Sequence, residues 1–577
     1  MREVTTRTPW RFVAAALCAL GCDWQTDEPT GGPVVHEEVI PCVEAPLGMY
    51  CLQRADGPLF LDTEMVRWSD YEFCVAAGVC EEAPVREFLP DPLEAITGLS
   101  SLQAEQYCAS QGKGVPEGLD IDQGLRCTAS IDQVMELTRV DHRPLAVRAA
   151  DAICAEHRVG ESTPTPSFRA SSWAAVDTLY RRQYGRLLRR QQIHLSYKSP
   201  EMVEKLLCDL SGTFSKLGQL HLIGRSHGGR PILALRISDQ PQSGEDRPAV
   251  LLMAGEHGHE LLATEYAFEA IHQVFSGLHR DSVKSWLRTL DLWVVPLLNP
   301  DGADVVLHHD YSSKFGRKNG RDVDGDGELE YAREGVDLGR NYPFQWGEHR
   351  NGSGSRAESS DYRGLTAASE PESRAIMRLS ADRHFVASLS WHTHGTSLLA
   401  PYSAAGATEP RPNMAWQIGL VMQASSPIQP SYRKFKLKRP SRAMDGTAED
   451  WLFHTYGTLA FTLLGSHHNP LEATLRAKSI AGAQPLVEAL LDRLVEGPSI
   501  YGQVLDARGQ PVEAQVEVEG FIFSEGERWR ARPADGFFER ALPGAGSYVL
   551  RVTHPDGTDS RHEVTVGEGR QRLDIRL

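Results

Sequence analysis

The chain has 577 residues, room for about four units of roughly 150 residues each and for a substantial buried core. With 41% hydrophobic and 24% charged residues, it is neither a polytopic membrane protein nor a mostly disordered chain. Its 77 acidic residues against 60 basic ones leave a net charge of −17, and without a concentrated basic stripe that charge repels phosphate backbones, so nucleic acid is excluded as a partner.

Taken in chain order, residues 1–22 read as an export signal. Arg2, Arg7 and Arg11 precede the apolar run FVAAALCALG, which is too short to span a bilayer and ends at Cys22. The string ALGC is similar to the cleavage box of bacterial lipoproteins, although Ala19 stands where Leu is more usual. This predicts a cell-envelope protein held to the membrane only by a lipid anchor at Cys22, with ordinary secretion as the alternative. Residues 23–40, acidic and rich in Pro, Gly and Thr, have the composition of a solvated tether. Setting aside Cys18 and Cys22 leaves Cys42, Cys51, Cys74, Cys80, Cys108, Cys127, Cys154 and Cys208, an even set suited to disulfides outside the cytoplasm, with the connectivity open. Because no cysteine follows Asp209, disulfides are expected to staple the N-terminal part only. The Cys-rich module spans 41–160. Its strings EMVRWSDYEFCVAAGVC and GLSSLQAEQYCASQGKGVP resemble part of a formylglycine-generating-enzyme (sulfatase-modifying) type domain. That family's catalytic cysteines have no counterpart here, so the resemblance implies a binding or spacer module without chemistry.

After a linker and basic helical segment at 161–194, the main domain runs from 195 to 497. PAVLLMAG, LDLWVVPLL, FVASLSW and LAFTLLG are continuous apolar runs expected of strands covered on both faces, and ELLATEYAFEAIHQVF has helical spacing. The expected fold class is α/β, a mixed sheet flanked by helices. Residues 498–577 change to short alternating segments rich in Gly, Pro and Asp, predicting a C-terminal antiparallel β-sandwich.

His257 is the only histidine of 21 followed by Glu at the third position. It lies where the run PAVLLMAG gives way to a helix, at a strand's carboxyl end, where open α/β sheets place ligands. His257 and Glu260 can supply two of the three protein ligands of a catalytic zinc, and His392, ending the run FVASLSWH, offers the third. The strings YKSPEMVEKLLCDL, IGRSHGGRPILALRIS, AGEHGHE, NPDG, FGRKN, GVDLGRNYPFQWG, SLSWHTHG and EDWLFHTYGTLAFTLLG, in that order, resemble the zinc carboxypeptidases of the carboxypeptidase A/B type. The β-rich C-terminus resembles the transthyretin-like domain of regulatory carboxypeptidases. The resemblance implies zinc at His257, Glu260 and His392, Arg317 polarising the scissile carbonyl, and Arg340 gripping the substrate's terminal carboxylate with Asn341 beside it. It also places Glu449 where side-chain preference is set, which would favour Lys or Arg. The implied partners are C-termini of peptides or proteins.

This chain departs from the family pattern at three positions. Gly339 replaces an Asn beside the carboxylate-binding Arg, Arg442 stands at the substrate-capping tyrosine, and the count of 13 from Trp451 to the general-base Glu lands on Leu464. The resemblance therefore implies either a slow metallocarboxypeptidase, with Glu472, Glu449 or Asp450 as substitute acids, or a catalytically inactive pseudoenzyme that binds peptide or envelope termini. Two further strings carry partial motifs. Asp322, Asp324 and Asp326 open like a calcium loop, but the twelfth position is Arg333 instead of Glu, so this is no EF-hand, and a bound calcium and a solvated acidic turn are equal alternatives. GRSHG matches a nucleophile elbow around Ser226, yet its flanking runs predict a hairpin between two strands, the wrong context for a nucleophile.

Overall fold

The computed structural model describes residues 49–54, 57–62, 128–130, 145–158, 197–241, 247–308, 315–331, 333–349, 351–427, 435–440, 443–466 and 469–577. The signal at 1–22, the tether at 23–40, most of the Cys-rich module, the linker at 161–194, Cys22 and Arg442 lie outside the described residues. The chain divides into two compact units, Met1–Ala152 and Ile153–Leu577. Within the first, β1 (Met49–Arg54), β2 (Gly57–Asp62) and β3 (Thr128–Ser130) form an antiparallel sheet in that order, and helix α1 (Leu145–Arg158) runs from the first unit into the second.

The second unit is built on an eight-stranded sheet. Its strands are β4 (Gly218–Arg225), β5 (Pro231–Ile237), β6 (Ala249–Ala254), β7 (Asp291–Val295), β8 (Ala387–His392), β9 (Ser397–Leu399), β10 (Lys436–Lys438) and β11 (Leu459–Leu464), in the order β10-β9-β11-β8-β6-β7-β5-β4. The four apolar runs become β6, β7, β8 and β11, which pair parallel to their neighbours in the middle of the sheet. Every residue of β6, β7 and β8 is buried, which is why these strands read as unbroken apolar runs instead of alternating. At the edges β4 and β5 pair antiparallel across the turn at 226–230, and β9 pairs antiparallel with β11, so the sheet is mixed. Ser226 sits in that hairpin turn, where its hydroxyl donates to Asp301 Oδ1 at 2.9 Å and accepts from Arg230 N at 3.1 Å.

The helices that cover the sheet are α2 (Pro200–Thr213), α3 (Leu261–Ser276), α4 (Asp281–Thr289), α5 (Pro300–His308), α6 (Pro371–Arg383), α7 (Met414–Ser425), α8 (Ala448–Tyr456) and α9 (Ala473–Glu496). Their starts and stops follow local chemistry. Ser199 caps α2 by accepting from Met202 N, with Pro200 at the first helical position. Thr447 caps α8 in the same way through Asp450 N, and Gly457 at φ 74° ends it. Among the described residues, no helix is long and apolar enough to cross a membrane. Cys154 of α1 is bonded to Cys208 of α2. Both belong to the expected set of eight, and the bond ties α1 to a helix that packs against β4 and β5 of the main sheet.

The C-terminal module consists of β12 (Ser499–Leu505), β13 (Gln515–Val518), β14 (Phe537–Ala541), β15 (Gly546–Thr553), β16 (Asp559–Val566), β17 (Arg570–Arg572) and β18 (Ile575–Arg576) in two sheets. Ile500, Val504, Val516, Phe538, Leu550 and Val552 fill the core between them. One sheet, β13-β15-β16, is antiparallel as expected. The other is a correction: β12 pairs antiparallel with β14 but parallel with β17 and β18, because the chain returns past β12 in the direction it started. The module docks on the main domain through Tyr402, whose hydroxyl donates to Glu527 at 2.8 Å, and through Trp529 Nε1, which donates to Phe453 O at 3.0 Å.

A buried polar network ties three loops together at the start of α6. Glu370 accepts from Asn319 Nδ2 and Arg321 and lies 2.8 Å from His227 Nε2, while Glu372 accepts from His227 N and Asn319 Nδ2. Burial, reinforced by the neighbouring Asp301 and Glu370 charges, pushes the Glu372 carboxyl up to about 7, although His227 opposes this. A carboxyl raised in the folded state stabilises at low pH and loses that contribution as pH rises from about 4.5 to 7. Wild type is therefore expected to lose about 3 kcal/mol relative to Glu372→Gln between pH 5 and pH 8. Urea unfolding of both proteins at the two pH values measures this, and a constant difference would contradict it.

Candidate metal centre

The site is assembled at the carboxyl ends of the parallel strands. After β6 the chain turns at Gly255, whose φ is 67° and where a Cβ would lie 2.7 Å from Leu297 Cδ1. The short loop that follows carries Glu256, His257 and His259, and Glu260 sits at the N-cap of α3. On the adjacent strand, which pairs parallel with β6, His392 is the last residue of β8.

The long sequence gap between them closes in space. His392 Nδ1 lies 2.7 Å from Glu260 Oε2 and 3.1 Å from His257 Nδ1, and His257 Nδ1 is 3.4 Å from Glu260 Oε2. A tetrahedral zinc with bonds of 2.0–2.1 Å holds its ligand atoms about 3.3 Å apart, so these three atoms fit the ion. All three side chains are buried. Burial alone would raise the Glu260 carboxyl, but His392 and His257 outweigh it and hold it well below the usual carboxylate range, in its ligating form.

The outward ring nitrogens are engaged as well. His257 Nε2 lies 2.9 Å from Asp337 Oδ1, and His392 Nε2 lies 3.0 Å from Ser390 Oγ. Were Nδ1 of each ring to hold a metal, Nε2–H would be the donor in both contacts, fixing tautomer and ring orientation. Asp337 also accepts from Arg317, at 2.7 Å from NH2 and 3.1 Å from Nε. Burial opposes its charge, yet Arg317 and then His257 hold its carboxyl well below the ordinary value. Asp337 is a residue the sequence reading missed. Its signal was its place in DLGRN, three before Arg340, at the cap of a short 3-10 turn spanning Leu338–Arg340.

A cavity of about 370 Å³ is lined by His257, Glu260 and His392, its wall also including Glu256, Arg317, Gly339, Arg340, Glu449 and Leu464. Arg340 Nε and Glu449 Oε1 are buried there without hydrogen-bond partners among the described residues. Leu464 ends β11 directly beside His392 in parallel register, so the position counted as the family's base faces this cavity as leucine.

Three expected residues are placed elsewhere. Asn341 is a correction. It is fully buried behind the site, its Nδ2 donating to Arg363 O, Thr366 O and Ser369 Oγ and its Oδ1 accepting from Glu370 N, so its amide is spent on holding the 363–370 loop. Glu472 is exposed at the start of α9 and accepts from Thr474. Asp450 accepts from Ser403 N and Ala404 N and stays in the scaffold.

Glu256 is the second residue missed, hidden by its position beside a stronger motif. A Cβ on Gly339 would lie 3.0 Å from Glu256 Oε2, so the space an Asn side chain would need is taken by this carboxylate. Its Oε1 has no partner among the described residues, and burial pushes its carboxyl up to about 7. At Asp322, Asp324 and Asp326 the carboxylates accept from Gly325 N, Gly327 N, Asp326 N and Glu328 N, and Glu334 accepts from Val323 N and Asp324 N. This loop closes on its own backbone, and the expected calcium gains no support from it.

Residues 203–479 match the family model of the zinc carboxypeptidases. This segment is a zinc carboxypeptidase domain. The carboxypeptidase domain is 28% identical over 225 residues to metallocarboxypeptidase A of Arthroderma otae, covering 38% of this chain and 48% of that protein. Metallocarboxypeptidase A of Trichophyton tonsurans is 30% identical over 224 residues, with the same shares of 38% and 48%. The chain thus spans about half the length of the curated relatives it matches. Among solved structures, carboxypeptidase A from Helicoverpa armigera aligns with a TM-score of 0.47 at 18% identity, over 64% of this chain and 88% of that one.

Proposed function

We propose that the protein is a zinc-dependent carboxypeptidase that removes C-terminal residues from peptides slowly, acting outside the cytoplasm from a lipid anchor at Cys22. The observation that carries this reading is the convergence of His257 Nδ1, Glu260 Oε2 and His392 Nδ1 on a cavity that Arg340 also lines. His257, Glu260 and His392 would hold the zinc, which when bound polarises a carbonyl and lowers the pKa of water to about 7. Arg317, anchored by Asp337, stays charged and faces the carbonyl of the scissile bond. Arg340, with its Nε unpartnered among the described residues, holds the terminal carboxylate through parallel hydrogen bonds. Glu449 favours Lys or Arg as the residue removed, by charge pairing in a partly desolvated pocket.

Proton transfer is the weak point of the site. β11 offers Leu464, and the carboxylates left on the cavity wall besides the ligand Glu260 are Glu256 and Glu449. Leu464 equally supports a second reading, a peptide-binding protein that holds zinc but does not turn over.

The test is zinc content of the purified full chain together with release of C-terminal Arg, Lys or Phe from peptides. Arg340→Ala is expected to keep its zinc and raise KM by at least about tenfold, the loss of one charge-assisted contact. Zinc with no release from wild type would establish the binder, and no zinc would sink both readings.

A further inference from the structure

We propose that His259, Glu260 and His394 form a second divalent-cation site that shares Glu260 with the first. One ligand atom from each of the three lies within 4.8 Å of the others. The two oxygens of Glu260 face different histidines. Oε2 is turned to His257 and His392, while Oε1 lies 3.6 Å from His394 Nδ1. The second spacing is close to the edge of about 3.3 Å expected around a tetrahedral zinc.

His259 is the independent observation. It is 5% exposed, and its Nδ1 has no hydrogen-bond partner among the described residues. A buried imidazole nitrogen left unmatched is unfavourable, and a bound cation would offset that cost. The His259 and His394 rings lie 5.4 Å apart at 30°, side by side over the same carboxylate. His394, with Thr393 Oγ1 3.2 Å from its Nδ1, is the solvent-facing member at 49% side-chain exposure, giving an ion a way in. Arg317, the guanidinium on the same cavity wall as Glu260, is paired with Asp337. A carboxylate bridging two cations about 3.5–4 Å apart is a familiar arrangement in two-metal sites.

The inference rests on the zinc reading only in that Glu260 is shared. The test is calorimetric titration of the full chain, stripped with chelator, with Zn²⁺ alone, alongside bound metal measured by mass spectrometry. Wild type is expected to take up two equivalents, and His394→Ala and His259→Ala one each, with the remaining affinity unchanged. His308→Ala, at an imidazole 75% exposed on α5, is expected to keep both. The joint variant His257→Ala/His392→Ala should retain one equivalent that His394→Ala then removes. One equivalent in wild type would overturn the second site and leave the first standing, whereas none would overturn both. A His394→Ala protein that folds with a wild-type melting temperature yet binds no zinc would place His394 in the first site and likewise overturn the proposal.

Discussion

Leu464→Glu is expected to raise kcat for release of a C-terminal residue by about 10²- to 10⁴-fold, the span that a positioned general base supplies. The geometry behind this is the register of β11 on β8, which sets Leu464 beside His392, and the cavity wall to which Leu464 contributes. Leu464 is only partly buried, so a carboxylate at that position reaches solvent and need not ionise in a dry core. The neighbouring Gly395 leaves room for little more, since a Cβ there would lie 2.9 Å from Leu464 Cβ. Glutamate, close to leucine in volume, respects that limit. Single-turnover kinetics on zinc-loaded protein gives the comparison. A variant that holds zinc and is no faster than wild type would show that proton transfer is not what limits this site. In that case Glu256→Gln and Glu449→Gln identify which of the two wall carboxylates already carries the proton.

Asp337→Ala is expected to weaken zinc binding about 10- to 100-fold, as loss of a group that orients a metal-ligating histidine does, and to destabilise the domain by about 3–5 kcal/mol. Both effects come from one carboxylate, fully buried between His257 Nε2 and Arg317. Removing it leaves a guanidinium without its counter-charge and an imidazole free to rotate. Because its folded-state pKa lies far below the unfolded value, Asp337 contributes stability at all pH values above about 4 and loses it only in acid. Asp337→Asn keeps the shape and one acceptor and should recover part of the metal affinity but not the charge pairing. A competition assay with a chromophoric chelator and urea unfolding separate the two losses. Wild-type zinc affinity in Asp337→Ala would refute the orienting role.

Much of the sheet was legible because burial on both faces leaves a plain mark: β6, β7, β8 and β11 are mostly apolar, interrupted only by Asp291, two serines, His392 and Thr462, and the runs of β6 and β8 end where the candidate ligands begin. His257, Glu260 and His392 were readable for the same reason, as polar residues at the ends of apolar strands. Asn341 misled because its neighbour Arg340 lines the cavity, whereas adjacent residues of a tight turn point in different directions. Asn341 points back into the scaffold. Glu256 was hidden beside the stronger His257–Glu260 pair, and Asp337 left only the local mark of a turn cap in DLGRN, which says nothing of its role. Each matters through a partner far along the chain, Gly339 for the first and both His257 and Arg317 for the second.

The residue string by itself determined the four central strands, the β4–β5 hairpin, helix α3, the α/β class and the three metal-ligand candidates, since periodicity and side-chain chemistry are local properties. Only the tertiary structure decided that Leu464 faces the cavity, that a glutamate fills the space over Gly339, that Cys208 bonds Cys154, and that Glu260 faces histidines on both of its oxygens. The physical reason is that register between strands and the direction of a side chain at a turn are set by long-range packing, and no short window of sequence contains both partners of such a contact.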